Sequence, residues 1–227
     1  MCSSDLGHAL VIGAGGLGSP VVMYLGTAGV GRITLVDHDT VDVTNLQRQI
    51  AHNLARVGQP KAESARQTVA AINPDVALQA VVRRADSGWL DQAVQGADVV
   101  VDCSDNFQTR HAVNAACVAH RKPLVSGAAI GFDGQVSVYD TRQVGAPCYA
   151  CIFPAEATFE EVRCATMGVF APLVGIIGTV QAAEALKLLM GVGSSLAGRL
   201  QMLDARAMEW TEIRMARQAG CAVCGGH

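Results

Sequence analysis

The chain has 227 residues, half of them hydrophobic and only 16% charged, with a formal net charge of −3 and a mean hydropathy of +0.28. That is enough chain for one large α/β domain with a well-buried core, and charges of both signs are interspersed without the basic stripe of a dedicated nucleic-acid binder. With so few charges on so apolar a chain, either the surface is small relative to the core or part of it is covered by a partner, and a homo-oligomer is expected.

Met1 to Leu6 shows no continuity with the strand pattern beyond it and equals the translated tail of a common sequencing adaptor. It is therefore read as non-native, with a missing native N-terminal segment as the expectation. No secretory apolar region precedes the first strand, which places the protein in a reducing cytoplasm. Eight cysteines in that compartment point to a metal or to chemistry rather than to disulfides.

The apolar run Ala9 to Ile12 ends in glycines and leads into Leu17 to Val30, where apolar residues recur at helical spacing: a strand, a tight turn and a helix. A second strand, Arg32 to Val36, ends in Asp37. A helix from Lys61 to Ile72 is stopped by Asn73-Pro74, and a strand-like run comes next at Val76 to Val82. After a short helix near Trp89 come a buried strand at Ala97 to Asp102, a helix at Asn106 to Ala119 and a strand at Pro123 to Val125. Such alternation predicts a parallel sheet covered on both faces. Beyond Gly127 the pattern changes, with antiparallel strands expected at Gln135 to Tyr139, Leu200 to Leu203 and Trp210 to Ile213. Between them, Met167 to Met190 is the most apolar stretch, but Gln181, Glu184 and Lys187 interrupt it, so it reads as a buried helix and not a membrane span. Residues 1–227 are taken as a single domain. The acidic stretch Pro154 to Cys164 has no clear periodicity and reads as a loop.

Gly13-Ala-Gly15-Gly16-Leu-Gly18 fits G-x-G-x-x-G between a strand and a helix, a setting that lets backbone and helix N-terminus approach a phosphate. Asp37, nineteen residues after Gly18, is placed to accept hydrogen bonds from a ribose. The glycines and the acid alone suit a dinucleotide equally well, so an NAD-dependent oxidoreductase is the rival reading. The next stretch of chain favours a triphosphate: Asp37, Asp39, Asn45, Arg48 and Gln49 crowd polar groups beyond the strand end, and Lys61 opens the next helix. Asp105 and Asn106 sit where the buried strand gives way to a helix. There Asp105 or Ser104 could be the N-cap, or Asp105 could hold Mg²⁺ against the phosphates.

Cys148-x-x-Cys151 and Cys221-x-x-Cys224 are two thiolate pairs at the spacing of a structural tetrahedral Zn²⁺ site, with redox-active pairs as the alternative. Cys103 and Cys117 read as small core residues. Cys164, in the polar loop beside Arg163, has the neighbouring cation that favours a nucleophilic thiolate.

Together these motifs resemble the ThiF/MoeB/HesA family of ubiquitin-activating-enzyme-like adenylyltransferases, from about His8 to Gly226. The resemblance rests on the glycine loop, Thr44 to Gln49, Gly58 to Lys61, Asp102 to Asn106, Pro123 to Ala129, Cys148 to Cys151, Ala171 to Gly178 and the terminal cysteine pair. It implies a Rossmann-like mixed sheet, parallel in its N-terminal part and antiparallel in its C-terminal strands, with a structural zinc site. It also implies ATP-dependent adenylation of the C-terminal glycine carboxylate of a ubiquitin-like sulfur carrier, serving thiamin or molybdopterin biosynthesis, with a separate persulfide donor protein. By position, Asp37 goes to the ribose, Asn45, Arg48 and Lys61 to the phosphates, Asp105 to Mg²⁺ and the paired cysteines to zinc. A cysteine at the position of Cys164 forms a covalent link to the carrier in the ThiF branch and is dispensable for adenylation in MoeB proteins. The family's N-terminal segment supplies an arginine to the partner subunit's ATP, and Met1 to Gly7 contain none. A member without activity that only docks a carrier is the third reading.

Overall fold

The computed structural model describes residues 6–155 and 168–225. One eight-stranded sheet runs through it in the order β3-β2-β1-β4-β5-β6-β7-β8, where β1 is Leu6–Ile12, β2 Val30–Val36, β3 Ala77–Val81, β4 Val99–Asp102, β5 Leu124–Ile130, β6 Asp133–Tyr139, β7 Arg199–Asp204 and β8 Glu209–Arg214. The first five strands in sequence pair in parallel, and every pairing from β5 to β8 is antiparallel. Six helices complete the described fold: α1 Gly18–Thr27, α2 Lys61–Ile72, α3 Ser87–Gln95, α4 Phe107–Ala119, α5 Tyr149–Ile152 and α6 Ala171–Met190.

Ala9 to Ile12 of β1 and Val99 to Val101 of β4 are apolar at every position because each face meets its own core. In β1, Ala9 and Val11 join a core shared with α1, α2 and α6, while Leu10 and Ile12 join one shared with α3 and α4. Val99 and Val101 of β4 fall on the first side and Val100 on the second. This two-residue alternation between two covered faces produces a run with no polar position.

Helix α6 has the length and composition of a membrane span, yet it packs along the sheet and against α1. Its polar residues are fasteners. Gln181 Nε2 donates to the Asp102 carbonyl at 2.8 Å, and Glu184 Oε2 accepts from the Leu196 amide at 2.8 Å. Pro172 in its first turn and Gly191 in the left-handed conformation (φ 64°) at its end set its limits. The described helix therefore starts at Ala171, with residues 156–167 outside the description.

Several strands begin before or extend beyond their sequence expectation, β1 and β5 by the most. β1 starts at Leu6, which pairs with Val30, so the ordered strand takes in the last residue of the segment read as non-native. Residues 1–5 lie outside the described residues. β5 and β6 form a hairpin paired from Leu124–Tyr139 to Ile130–Asp133, several residues longer than the expected Pro123 to Val125 and Gln135 to Tyr139.

Candidate active site

Strand order reverses between β1 and β4, whose crossovers run in opposite directions, and a cleft opens at their carboxyl ends, the usual ligand position in a doubly wound sheet. The cleft has a volume of about 1170 Å³ and is lined by Gly13, Gly15, Gly16, Asp37, Asp39, Arg48, Gln49, Lys61, Asp105 and Asn106 among others. The glycine loop forms one wall. Gly13 adopts φ +97°, and a β-carbon there would lie 2.9 Å from the Cys103 carbonyl oxygen. Helix α1 opens without a side-chain cap, which leaves its N-terminal dipole for an anion.

Within this loop the glycines have separable tasks. A β-carbon on Gly18 would lie 1.9 Å from the Gly13 carbonyl oxygen, whereas one on Gly15 would meet nothing nearer than Gln49 Nε2 at 3.6 Å. Gly18→Ala is therefore expected to destabilise the fold by about 1–3 kcal/mol or more, while Gly15→Ala keeps the melting temperature and weakens nucleotide binding. Thermal unfolding and ATP calorimetry on the two variants check this; equal melting temperatures would contradict it.

Asp37 closes β2 and anchors the loop: Oδ2 accepts from the Ala14 amide at 2.7 Å and Oδ1 from the Asp39 amide at 2.7 Å. Each oxygen keeps a further lone pair for a ribose hydroxyl. Lys61, 6% exposed, donates to Asp39 Oδ2 at 3.0 Å. Burial pushes the Asp39 carboxyl up, but the Lys61 ammonium outweighs it and holds it below the usual range. Arg48 lines the cleft, and its Nη2 donates to Asn45 Oδ1 at 2.9 Å. Asn45 belongs to a 3-10 turn, Val43–Asn45, and stands behind Arg48. Gln49 is 5% exposed, and its Oε1 has no hydrogen-bond partner among the described residues.

At the end of β4, the side chain of Asn106 caps α4 by accepting from the Thr109 amide at 2.8 Å. Neither Asp105 nor Ser104 is the cap. The Ser104 hydroxyl donates to Asp102 Oδ1 at 2.6 Å, so its side chain is bound to the buried carboxylate instead. Asp105 is exposed in the cleft, 3.5 Å from Asn106 Nδ2, with its carboxylate free of any cap duty. That arrangement suits a divalent cation, which takes one or two carboxylates plus phosphate oxygens.

The four paired cysteines converge elsewhere, and none is among the residues lining the cleft. Their sulfurs lie within 4.8 Å of one another, with Cys148–Cys151 at 3.9 Å, Cys148–Cys221 at 3.7 Å and Cys151–Cys224 at 3.4 Å. A tetrahedron with 2.3 Å Zn–S bonds has edges of about 3.8 Å, so the residues fit the metal. The first pair brackets the start of α5, with Cys148 as the N-cap residue and Cys151 within the helical turn, which spacing alone did not reveal. Asn114 braces it: Oδ1 accepts from the Tyr149 amide at 2.9 Å and Nδ2 points at Cys148 Sγ at 3.7 Å. Burial pushes the Cys103 and Cys117 thiols well up, as expected of core residues. Cys164 and Arg163 lie outside the described residues, as does most of the loop Pro154 to Cys164.

Burial also lowers the affinity of His8 and His52 for protons. Below the unfolded value of about 6.5 the unfolded chain takes up protons that the folded rings resist. Both imidazoles are thus expected to titrate below 6.5 by NMR, and their contribution to stability to be lost as pH falls from 7 towards 5. Ring resonances with midpoints above 6.5 would contradict this.

A ThiF family model matches residues 5–223. The molybdopterin-synthase adenylyltransferase of Escherichia coli K12 is 46% identical over 96% of this chain and 87% of its own length. The sulfur carrier protein ThiS adenylyltransferase of the same organism is 44% identical over 96% and 86%, and the sulfur carrier protein adenylyltransferase of Thermus thermophilus 44% over 95% and 81%. Among solved structures, E. coli MccB with AMPCPP and MccA superposes with a TM-score of 0.84 at 23% identity, over 96% of this chain and 66% of that one. The last likeness is one of fold. With the glycine loop, the acid that anchors it and the basic residues beyond it all in one cleft, and with a ThiF family model and these relatives matching nearly all of the chain, the chain belongs to the ThiF family.

Proposed function

We propose that this protein uses ATP and Mg²⁺ to adenylate the C-terminal glycine carboxylate of a ubiquitin-like sulfur-carrier protein. The observation that carries the reading is the cleft itself, where Asp37, Arg48, Lys61 and Asp105 converge around an uncapped helix N-terminus. A dinucleotide site has use for Asp37 and the glycines but not for the rest.

In this reading Asp37 receives the ribose. The glycine loop, Arg48 and Lys61 receive the phosphates, with Lys61 shared between them and Asp39, and Asn45 orients Arg48. Asp105 would hold Mg²⁺, which supplies charge neutralisation on the phosphate oxygens. The carrier's carboxylate attacks the α-phosphorus and pyrophosphate leaves, forming the acyl-adenylate. No general base is needed, because the carboxylate is already ionised at neutral pH. Catalysis is then mostly positioning and electrostatic stabilisation.

A structural Zn²⁺ on the four cysteines, a homodimer and a separate persulfide donor complete the proposal. Relatives named for molybdopterin synthase and for ThiS match almost equally well, so carriers of both types belong in the assay. The test is carrier-dependent exchange of labelled pyrophosphate into ATP. Exchange with either carrier supports the reading. Carrier binding without exchange would favour a docking protein, and reduction of NAD with a small substrate an oxidoreductase.

A further inference from the structure

His52 carries no motif and lies outside the family pattern traced in the sequence, yet it occupies a junction of the site. It is 7% exposed, and both of its ring nitrogens are engaged. Nε2 lies 2.8 Å from the Ala14 carbonyl oxygen and Nδ1 2.9 Å from Ser64 Oγ. A carbonyl only accepts, so Nε2 carries the proton. The neutral ring, favoured first by burial and then by the nearby Lys61 and Arg56 charges, accepts the Ser64 hydroxyl proton at Nδ1.

These two bonds close a circuit. Ala14 is the second residue of the glycine loop, and its peptide is held on both sides: its N–H by Asp37 and its C=O by His52. Asp37 also binds the Asp39 amide, Asp39 pairs with Lys61, and Lys61 begins the helix that carries Ser64 one turn later. Ser64 returns the chain of contacts to His52. Arg56 Nη1 donates to the Ser64 carbonyl at 2.8 Å and also to Thr68 Oγ1, and the Thr68 hydroxyl donates to the Ala51 carbonyl at 2.6 Å. The segment bearing His52 is thus pinned to α2 by a second set of bonds. Asp37, Asp39 and Lys61 line the cleft, so the circuit runs from the site's own side chains to His52 and back.

We propose that His52 is a positioning residue for adenylation, fixing the glycine-loop peptide at Ala14 relative to Lys61 so that loop amides and lysine address the same phosphates. The inference rests on the ATP-binding reading of the cleft. It predicts that breaking the His52 bonds damages nucleotide binding and turnover, not merely stability.

The experiment compares the full chain with His52→Leu, His52→Gln and Ser64→Ala, measuring melting temperature, ATP affinity by calorimetry, and KM and kcat for carrier-dependent pyrophosphate exchange. His52→Leu is expected to weaken ATP affinity about tenfold, since a buried carbonyl loses its donor, and to lower kcat as well. A glutamine amide presents a donor and an acceptor about as far apart as the ring nitrogens, so His52→Gln should recover most of both. Ser64→Ala, a small change that tests the circuit even if His52→Leu does not fold, should raise the KM for ATP several-fold with little change in melting temperature. Wild-type ATP affinity and kinetics in Ser64→Ala or in folded His52→Leu would overturn the proposal, as would a Gln variant no better than Leu. A parent chain that binds ATP but fails to exchange pyrophosphate would refute the carrier reading alone, leaving the affinity comparison to decide on His52. A parent chain that does not bind ATP would refute both.

Discussion

Asp105→Ala is expected to reduce carrier-dependent pyrophosphate exchange by on the order of 10² to 10³, comparable to removal of one group that stabilises charge in a transition state, while weakening ATP binding much less. The variant is informative because Asp105 has no structural task to lose. The cap of α4 belongs to Asn106, the buried carboxylate of this turn is Asp102, and Ser104 bonds to Asp102. An exposed carboxylate at the mouth of the cleft should therefore be removable without unfolding the turn. The divalent ion it would hold contributes most as negative charge builds on the departing pyrophosphate, so the effect should fall on turnover. Asp105→Asn keeps the shape without the charge and should be nearly as impaired. The assay is exchange rate against Mg²⁺ concentration, with ATP affinity measured separately. Near-normal exchange by Asp105→Ala at saturating Mg²⁺ would remove this residue from the metal site.

The order of strands and helices in the N-terminal part was legible because each local signal agreed with the sheet it feeds. The apolar runs of β1 and β4 are long enough for strands and too short for helices, and Gly-rich or Asn-Pro breaks bound the elements between them. The hairpin β5–β6 was underestimated for a different reason. Its Gly127 and Gly134 lack the bulk that marks a strand, because α6 lies directly on them. A β-carbon at Gly127 would meet Gln181 at 2.4 Å, and one at Gly134 would meet Ile177 and Leu173 at 2.8 Å. Small residues here record a helix arriving from some fifty residues downstream, which no local window can see. The site divides in the same way. Residues on one contiguous stretch, such as Asp37, Arg48 and Gln49, were found from their crowding beyond a strand end. His52 was not, since a single histidine in a turn gains its meaning only from Ala14 and Ser64, brought to it by the fold. That Asn106, and neither Asp105 nor Ser104, caps α4 was equally hidden, because each of these side chains can cap a helix and only the geometry assigns the bond.

Removing zinc is expected to free the C-terminal tail while leaving the nucleotide cleft in place. The last strand, β8, ends at Arg214, and the chain beyond it returns to α5 and α4 chiefly through the cysteines. The apolar cluster there is small: Val118, Cys148, Ala150, Cys151 and Cys224 are buried, with Ile152, Cys221 and Val223 packed around them. Half of its members are the proposed ligands, so few apolar contacts remain once the metal is gone. Structural zinc sites in small peptides bind with apparent free energies of about 10–16 kcal/mol, far more than a cluster of this size can contribute. Cys224→Ser, or treatment with a strong chelator, should therefore make the chain beyond Arg214 accessible to protease and lower the melting temperature markedly. ATP affinity should change little, because no cysteine of the cluster lines the cleft. Asn114→Ala offers a milder version, removing the amide that faces Cys148 Sγ and the acceptor of the Tyr149 amide and so weakening metal retention without deleting a ligand. The measurement is zinc content of protein purified without chelator, followed by limited proteolysis. One zinc per chain, lost together with tail protection, is the expected outcome. A chain without stoichiometric zinc whose tail nevertheless resists protease would show that the four thiols hold the tail by packing alone.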